Sequence, residues 1–278
     1  MKNFRLKVLE RASKSRIFDE IVFNLIQKKV IKFPVYLSAG QEYVAATIAE
    51  ICNLRKIKPM LFGQHRGHSI YISFNGNLAD LANEMLGNKN GCTYGMGGSL
   101  SIHSKKINMF GHDGFMGSNA PIAVGACLAS QKPTIVFLGD AAVEEDYVLS
   151  SISWVAKKKL PILFVIEDNN FAVLTSKDER RDWSIDKVAK AFNIEAADVN
   201  DNPLNIFKKL KKYNFKKPFL INIKTNRLYW HSGAGKDKNN VFDRLKNEIN
   251  KIGEKAKKIH LKNNKQINDL WNKILEQQ

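Results

Sequence analysis

The chain has 278 residues, with 44 Lys or Arg against 27 Asp or Glu, and its formal net charge is +17. No apolar run approaches the roughly 20 residues that a membrane-spanning helix requires, and the basic N-terminus lacks the uninterrupted apolar segment of a secretory signal. The three cysteines are scattered, without the spacing of a disulfide framework or a metal site. We therefore expect a cytoplasmic protein with one large domain or two small ones.

The excess positive charge raises the question of nucleic-acid binding, because a basic face attracts the phosphate backbone. The lysines, however, are spread together with asparagines over stretches such as FKKLKKYNFKKP and GEKAKKIHLKNNKQ. No nucleic-acid motif, arginine cluster or interleaved aromatic series accompanies them. Solvated helix faces explain the charge better, and we predict no nucleic-acid partner.

The elements, in chain order, predict three parts. Residues 1–35 are predicted to form an N-terminal helical arm, 36–238 an α/β domain, and 239–278 a charged helical tail packed on the same domain. Within the domain, SAGQEYVAATIAEIC has helical periodicity, and residues 61–119 are rich in Gly, His and Asn. So much glycine indicates tight turns or backbone lying close to a ligand.

The second half of the domain has a strand–helix–strand pattern. TIVFL and ILFVI are continuous apolar runs on either side of one predicted helix, and PFLINIK is a further buried strand. Continuous rather than alternating apolar runs are typical of parallel strands that are covered on both faces. The sequence therefore predicts an α/β fold with a mostly parallel sheet and helices on both faces.

Polar residues follow two neighbouring strands of this predicted sheet. Gly139 and Asp140 end the first strand, and Asn169 follows the second. The carboxyl ends of adjacent parallel strands lie at one edge of the sheet, where ligands bind. One carboxylate and one amide oxygen suit Mg²⁺, which completes its coordination with phosphate oxygens and water. The small Ala141 and Ala142 let backbone approach a phosphate at a helix N-terminus, although each segment alone could be an ordinary turn.

Two other sites are weaker alternatives. A Zn²⁺ site formed by His65, His68, His103 and His112 lacks both the helical i, i+4 pair of a metalloprotease and a ligand cysteine. The segment YGMGGS is a poor dinucleotide fingerprint, because no strand precedes it and its glycine spacing is wrong.

An ordered series of motifs resembles a known family. Gly-Asp-Ala followed by Asp-Asn-Asn resembles the thiamine diphosphate motif, Gly-Asp-Gly followed just under thirty residues later by Asn-Asn. More narrowly, the segment from about Tyr36 to Ser232 resembles the alpha subunit of the decarboxylating component of 2-oxo acid dehydrogenase complexes, of the pyruvate, branched-chain and acetoin types. The segments that carry the resemblance are GQEYVAA, HRGHS, GCTYGMGGSL, GFMGSNAPIAVGACLA, LPILFVIEDNN and NRLYWHS.

The resemblance implies a thiamine diphosphate-binding fold, with thiamine diphosphate and Mg²⁺ as cofactors. Asp140, Asn169 and the backbone carbonyl of Phe171 would hold Mg²⁺. Arg66 would contact the diphosphate, and Met116 would support the bent cofactor. His231 would face the reacting carbon and the diphosphate, and His68 would lie on the substrate side. The full set expected around the cofactor is His65, Arg66, Met116, Gly117, Gly139, Asp140, Ala141, Ala142, Asn169 and His231.

The resemblance also implies an incomplete active site. In this family a beta subunit supplies the glutamate that activates the cofactor, and these 278 residues contain no second strand–helix array to house it. We therefore expect an α2β2 heterotetramer that acts on a 2-oxo acid or a ketose, with a lipoyl domain as acceptor if the enzyme is a dehydrogenase. A transketolase- or carboligase-like enzyme of specialised sugar metabolism without lipoyl transfer, or a non-catalytic relative, remains the alternative.

Several positions depart from the family pattern. Ala141 replaces the second glycine of Gly-Asp-Gly, which a methyl group tolerates if the backbone φ is negative there. His65 replaces a tyrosine, and Asp168 replaces the first asparagine of the pair. Ser101 and Trp230 stand where the family has His and Gly. The last two changes lie on the substrate side, so the acyl donor need not be pyruvate.

Overall fold

The computed structural model describes residues 1–233, 235–237 and 241–277. Six strands of this part form one sheet in which every neighbouring pair is parallel, and two more form a separate antiparallel ribbon. The strands are β1 (Met60–Phe62), β2 (Met109–Phe110), β3 (Thr134–Gly139), β4 (Ile162–Asp168), β5 (Phe171–Ala172), β6 (Thr175–Ser176), β7 (Glu195–Asn200) and β8 (Phe219–Lys224). The sheet order is β2-β1-β3-β4-β8-β7, which confirms the predicted mostly parallel α/β fold.

Eleven α-helices surround the sheet in the described residues. They are α1 (Lys2–Gln27), α2 (Glu42–Leu54), α3 (His68–Ser73), α4 (Leu78–Met85), α5 (Asn119–Ser130), α6 (Asp146–Lys158), α7 (Lys177–Arg180), α8 (Ile185–Ala191), α9 (Pro203–Leu210), α10 (Arg244–Ile252) and α11 (Glu254–Leu275). Short 3₁₀ turns cover Lys105–Ile107 and Ala142–Glu144. None of these helices is both long and apolar enough to cross a bilayer.

Both faces of the sheet are covered, which explains the continuous apolar runs. Along β3, Ile135 and Phe137 belong to the core on the side of α1, α2 and α11, whereas Val136 and Leu138 belong to the core on the side of α5 and α6. Successive strand residues point to opposite faces, so a strand buried on both sides requires apolar residues at every position.

The N-terminal arm is part of the same packed structure. Helix α1 packs against α2, α3 and α11, and Phe18 of α1 contacts the buried Trp271 of α11 with ring centroids 5.2 Å apart. The predicted boundary between domain and tail, at residues 238 and 239, lies outside the described residues. The three-part division of the chain stays a prediction.

Candidate functional site

The carboxyl ends of β3 and β4 lie side by side. Gly139 of β3 pairs with Glu167 of β4 in the parallel register. Asp140 and Asn169, which follow the paired residues in sequence, therefore lie at the same edge of the sheet. A cavity lies there. Its lining residues are Gln64, His65, Arg66, His112, Met116, Gly117, Asn119, Leu138, Gly139, Asp140, Ala141, Ala142, Asn169, Phe171, Ala172, Val173 and His231.

The structure brings together every residue that the sequence placed around the cofactor. The ten expected cofactor residues and Phe171 all line this one cavity, although they come from five separate segments. Ligand sites are concave and carry a few convergent polar groups, as this cavity does. The cavity is therefore the candidate active site.

Asp140 is the buried carboxylate of this site. Its side chain is 1% exposed, and Arg180 of α7 donates from Nη2 to Oδ2 at 2.6 Å while its Nη1 contacts Glu144 Oε1 at 2.5 Å. The pKa of Asp140 is raised to about 6, mainly by burial and then by the nearby Asp168 carboxylate, with Arg180 opposing both. A buried carboxylate is stabilised by a nearby cation. Arg180 contacts only one of the two carboxylate oxygens of Asp140, Oδ2.

Asn169 is held in a defined orientation. Its Nδ2 donates to Gln41 Oε1 at 2.7 Å, and its Oδ1 accepts from the backbone N–H of Phe171 at 3.1 Å. The amide oxygen, which has a second lone pair, therefore lies on the same side as the β5 backbone. The atoms of this site that could bind a metal ion are all oxygens, the ligand type that Mg²⁺ prefers.

The described residues contain no cluster of three or more His, Cys, Asp or Glu side chains that could hold a metal ion. Zn²⁺ in proteins is held by three or four such ligands, whereas Mg²⁺ needs only one or two carboxylates when a phosphate ligand supplies the rest. The residues present thus fit a magnesium ion that binds together with a phosphorylated ligand.

Arg66 is a buried cation that backbone carbonyls hold in place. Its side chain is 2% exposed, and its guanidinium donates only to backbone, to the Leu37 carbonyl at 2.7 Å and the His231 carbonyl at 3.2 Å. Burial lowers its pKa to about 10, helped by the charge of Arg227, so it is still charged at pH 7. No ion pair to Arg66 occurs in the described part of the chain. A buried unpaired cation is costly, and an anionic ligand in the cavity relieves that cost.

Three imidazoles form one wall of the cavity. The His65 ring centroid lies 5.3 Å from that of His231 and 5.9 Å from that of His112, and Tyr36 contacts both His65 and His231 edge-on. Burial lowers the pKa of all three, to about 4 for His231, where the charges of Arg66 and Arg227 add to the effect. The wall therefore presents neutral imidazoles at pH 7.

His68 does not reach the cavity. It is fully buried, with Nδ1 2.6 Å from Asp19 Oδ1 and Nε2 2.9 Å from Ser99 Oγ. Both ring nitrogens are therefore engaged within the protein, which leaves none for a substrate. His103 is also occupied elsewhere, by Ser101 Oγ and the backbone N–H of Gly111. We leave His68 out of the proposed catalytic set.

The backbone at two cavity positions explains their residue types. Gly117 has φ +85°, and a Cβ there would lie 2.6 Å from Val148 Cγ2, so glycine is required. Ala141 has φ −78° at the start of the 3₁₀ turn. This confirms the condition under which a methyl group is tolerated at the second position of the Gly-Asp-Gly motif.

Sequence reasoning missed four residues of the site. Gln64, His112 and Asn119 line the cavity, and Gln64 donates to the fully buried Glu167, whose pKa burial raises to about 7. Arg180 was missed as the partner of Asp140. Gln64 directly precedes the motif HRGHS and Glu167 lies within LPILFVIEDNN, but nothing in the local sequence of His112 or Arg180 distinguishes them from ordinary surface residues.

Comparison with known proteins agrees with the motifs. The profile of the family described as "Dehydrogenase E1 component" matches residues 10–277. The alpha subunit of the mitochondrial pyruvate dehydrogenase E1 component of Pan troglodytes (somatic form) is 25% identical over 256 residues, which cover 88% of this chain and 63% of that one. The alpha subunit of acetoin:2,6-dichlorophenolindophenol oxidoreductase of Cupriavidus necator is 34% identical over 149 residues, covering 52% and 44%. The chain thus spans less than two thirds of the length of either relative.

Solved transketolases share the fold. The Campylobacter jejuni enzyme superposes with a TM-score of 0.61 at 13% identity, covering 97% of this chain and 50% of that chain. The Leishmania mexicana enzyme gives 0.61 at 12% identity, covering 98% and 47%. At such identities the likeness establishes the fold alone. Because the family profile extends over nearly the whole chain, the chain belongs to the dehydrogenase E1 component family, as the alpha-subunit motifs predicted.

Proposed function

We propose that the chain is the alpha subunit of a thiamine diphosphate- and Mg²⁺-dependent enzyme that decarboxylates or cleaves a 2-oxo compound and transfers the acyl or aldehyde unit to an acceptor. The observation that carries the proposal is charge: buried Arg66, which forms no ion pair with any described residue, and buried Asp140 line one cavity. A diphosphate with its metal ion satisfies both, because the anion meets the guanidinium and the cation meets the carboxylate.

Each lining residue has a specific part in this proposal. Asp140, Asn169 and the Phe171 carbonyl hold Mg²⁺, and Arg66 holds the diphosphate. Ala141 and Ala142 bring backbone N–H groups close to it. The bound thiamine diphosphate supplies a nucleophilic carbon and an electron sink. Met116, partly buried in the cavity wall, supports the cofactor from one side.

His231 acts beside the reacting carbon as a neutral imidazole. With its pKa lowered to about 4, it hydrogen-bonds a developing oxyanion rather than donating as an imidazolium. Arg66 donates to the carbonyl of His231, so the diphosphate-binding residue also positions the loop that carries this histidine.

A beta subunit is proposed to cover the cavity mouth and to supply the activating glutamate. Phe115, Leu174 and Trp230 are 73%, 76% and 54% exposed, and each is the chain neighbour of a cavity residue. Three large apolar side chains from three loops around one opening favour a protein partner there. We propose an α2β2 assembly on this basis.

The alternative is a transketolase- or carboligase-like enzyme without lipoyl transfer. The observation that favours it is the polar wall of His65, His112 and His231, which suits a polar substrate better than a short alkyl chain.

Titration calorimetry tests the proposed cofactor. Thiamine diphosphate is expected to bind the purified protein with Mg²⁺ and to bind far more weakly with EDTA, since Asp140 would hold the diphosphate only with the help of the metal. Thiamine monophosphate is the matched control ligand. Equal heats with and without the metal would refute the proposed site.

A further inference from the structure

Two buried residues to which the family motifs assign no role line the cavity. His112 lies in the loop after β2 and is 2% exposed, and Asn119 is the first residue of α5 and is 4% exposed. Each has one polar atom without a hydrogen-bond partner in the part of the chain that the structure describes: Nε2 of His112 and Oδ1 of Asn119.

The chemical character of the His112 atom follows from its other nitrogen. The backbone N–H of Gly114 donates to His112 Nδ1 at 3.0 Å, so Nδ1 is an acceptor and carries no proton. Burial lowers the pKa of His112, which keeps the ring neutral at pH 7. A neutral imidazole carries its single proton on the other nitrogen. Nε2 of His112 is therefore a buried N–H donor.

The character of the Asn119 atom follows in the same way. Its Nδ2 donates to the carbonyls of Phe137 at 2.9 Å and Gly63 at 3.3 Å. Both partners are obligatory acceptors, so the NH₂ group must face them and cannot be exchanged with the oxygen. Oδ1 of Asn119 is therefore a buried acceptor that lacks a donor.

A ligand offsets the free-energy cost of burying these two unpaired atoms only if it offers an acceptor to His112 and a donor to Asn119. A hydroxyl group offers both, whereas the methyl group of pyruvate offers neither. We propose that His112 and Asn119 form a subsite for the hydroxyl group of a hydroxylated 2-oxo substrate. This inference rests on the proposed function for the 2-oxo class and adds the hydroxyl requirement. His65, whose Nε2 is also unpartnered, extends the polar wall toward His231.

The test compares hydroxypyruvate with pyruvate, which differ by one hydroxyl group. Both are titrated calorimetrically into the purified chain with thiamine diphosphate and Mg²⁺, and in parallel without them. Hydroxypyruvate is expected to bind about 10-fold or more tightly, since sites built around a hydroxyl reject the analogue that lacks it. Equal affinities would overturn the inference.

Two substitutions of His112 distinguish recognition of the hydroxyl group from structural support of the loop around Gly114. His112→Asn keeps an acceptor for Gly114 near the Nδ1 position but loses the donor at Nε2, whereas His112→Gln reaches the Nε2 position with an amide donor. We expect the preference for hydroxypyruvate to disappear in His112→Asn and to survive in large part in His112→Gln. A purely structural role predicts the reverse order, in thermal stability as well as in binding.

The outcomes also separate this inference from the proposed function. If thiamine diphosphate fails to bind while hydroxypyruvate keeps its advantage, the cofactor proposal fails and the subsite stands. If the cofactor binds and His112→Asn keeps the wild-type preference, the subsite fails and the cofactor proposal stands.

Discussion

The cavity has two halves that are built differently. The strand-end half lies at the ends of two paired parallel strands and consists of Gly139–Ala142 and Asn169–Phe171. The register of the sheet therefore fixes the positions of the residues that we propose bind the metal. The loop half contains His65, His112 and His231, which come from three loops and meet through ring contacts. The strand-end half has the general chemistry of metal and phosphate binding. Departures from the family pattern occur in both halves, at Ala141 and at His65, and we infer that substrate choice resides in the loop half, because loops on a rigid scaffold carry specificity.

Loss of the strand-end carboxylate should have the largest effect. Asp140→Ala removes the proposed metal ligand, and Mg²⁺-dependent binding of thiamine diphosphate is expected to fall by about 100-fold or more, because the metal links ligand to protein. Calorimetry with Mg²⁺ measures this. Glu144→Gln, which alters the other partner of Arg180, is the matched control and should retain most of the affinity.

The loop half should respond in rate rather than in cofactor affinity. His231→Ala removes the hydrogen-bond donor that we propose lies near the reacting carbon, and loss of such a donor typically costs about 10²-fold in kcat. Binding of thiamine diphosphate should change little, because Arg66 and the metal ligands remain. Steady-state kinetics with the beta partner, beside calorimetry, resolve the two effects. His103→Ala, outside the cavity, should be nearly silent; a wild-type kcat in His231→Ala would mean that the late loop is misassigned.

The close backbone packing under the cavity can be tested through stability. Gly117→Ala forces a side chain onto φ +85° and against Val148, and is expected to lower the free energy of unfolding by about 1–3 kcal/mol. Urea unfolding measures the change. Gly125→Ala in α5, where an added Cβ meets nothing within 4 Å, should be neutral or stabilising by about 0.5–1 kcal/mol. Equal changes in both would remove the packing argument.

The smallest expected effect is the pH dependence of the loop half. His231 binds a proton near pH 6.5 when unfolded but only near pH 4 when folded. Between these values the unfolded state holds more protons, so stability should fall as the pH is lowered through this window. The partial exposure of His231 reduces the size of the effect. Urea unfolding at several pH values should show a shallower slope for His231→Gln than for wild type; an identical slope would contradict the assignment.

The two halves also differ in how well the sequence predicts them. The strands β3 and β4 were predicted from TIVFL and ILFVI, because burial on both faces leaves no polar position. The short β1 and β2 lie inside the glycine-rich segment, and β7 (EAADVN) has the polar pattern of an edge strand, so none of them stood out. The family motifs located ten cavity residues. They did not indicate His112, which Gly-His-Asp-Gly presents as a turn residue. They assigned a substrate-side role to His68, whose ring nitrogens contact Ser99 and Asp19, the latter 49 residues earlier in the chain.

The buried Asp19–His68–Ser99 chain links the first helix to the anion site. Asp19 Oδ2 accepts from both the backbone N–H and the hydroxyl of Ser38, and the adjacent Leu37 carbonyl accepts from Arg66. The helical arm thus supports the arginine that we propose binds the diphosphate. Asp19→Ala, which removes this support, is therefore expected to weaken the binding of thiamine diphosphate while the sheet survives; calorimetry measures the first and circular dichroism the second. The affinity of the cavity for its ligand then depends on a helix that is distant in sequence from every residue lining the cavity.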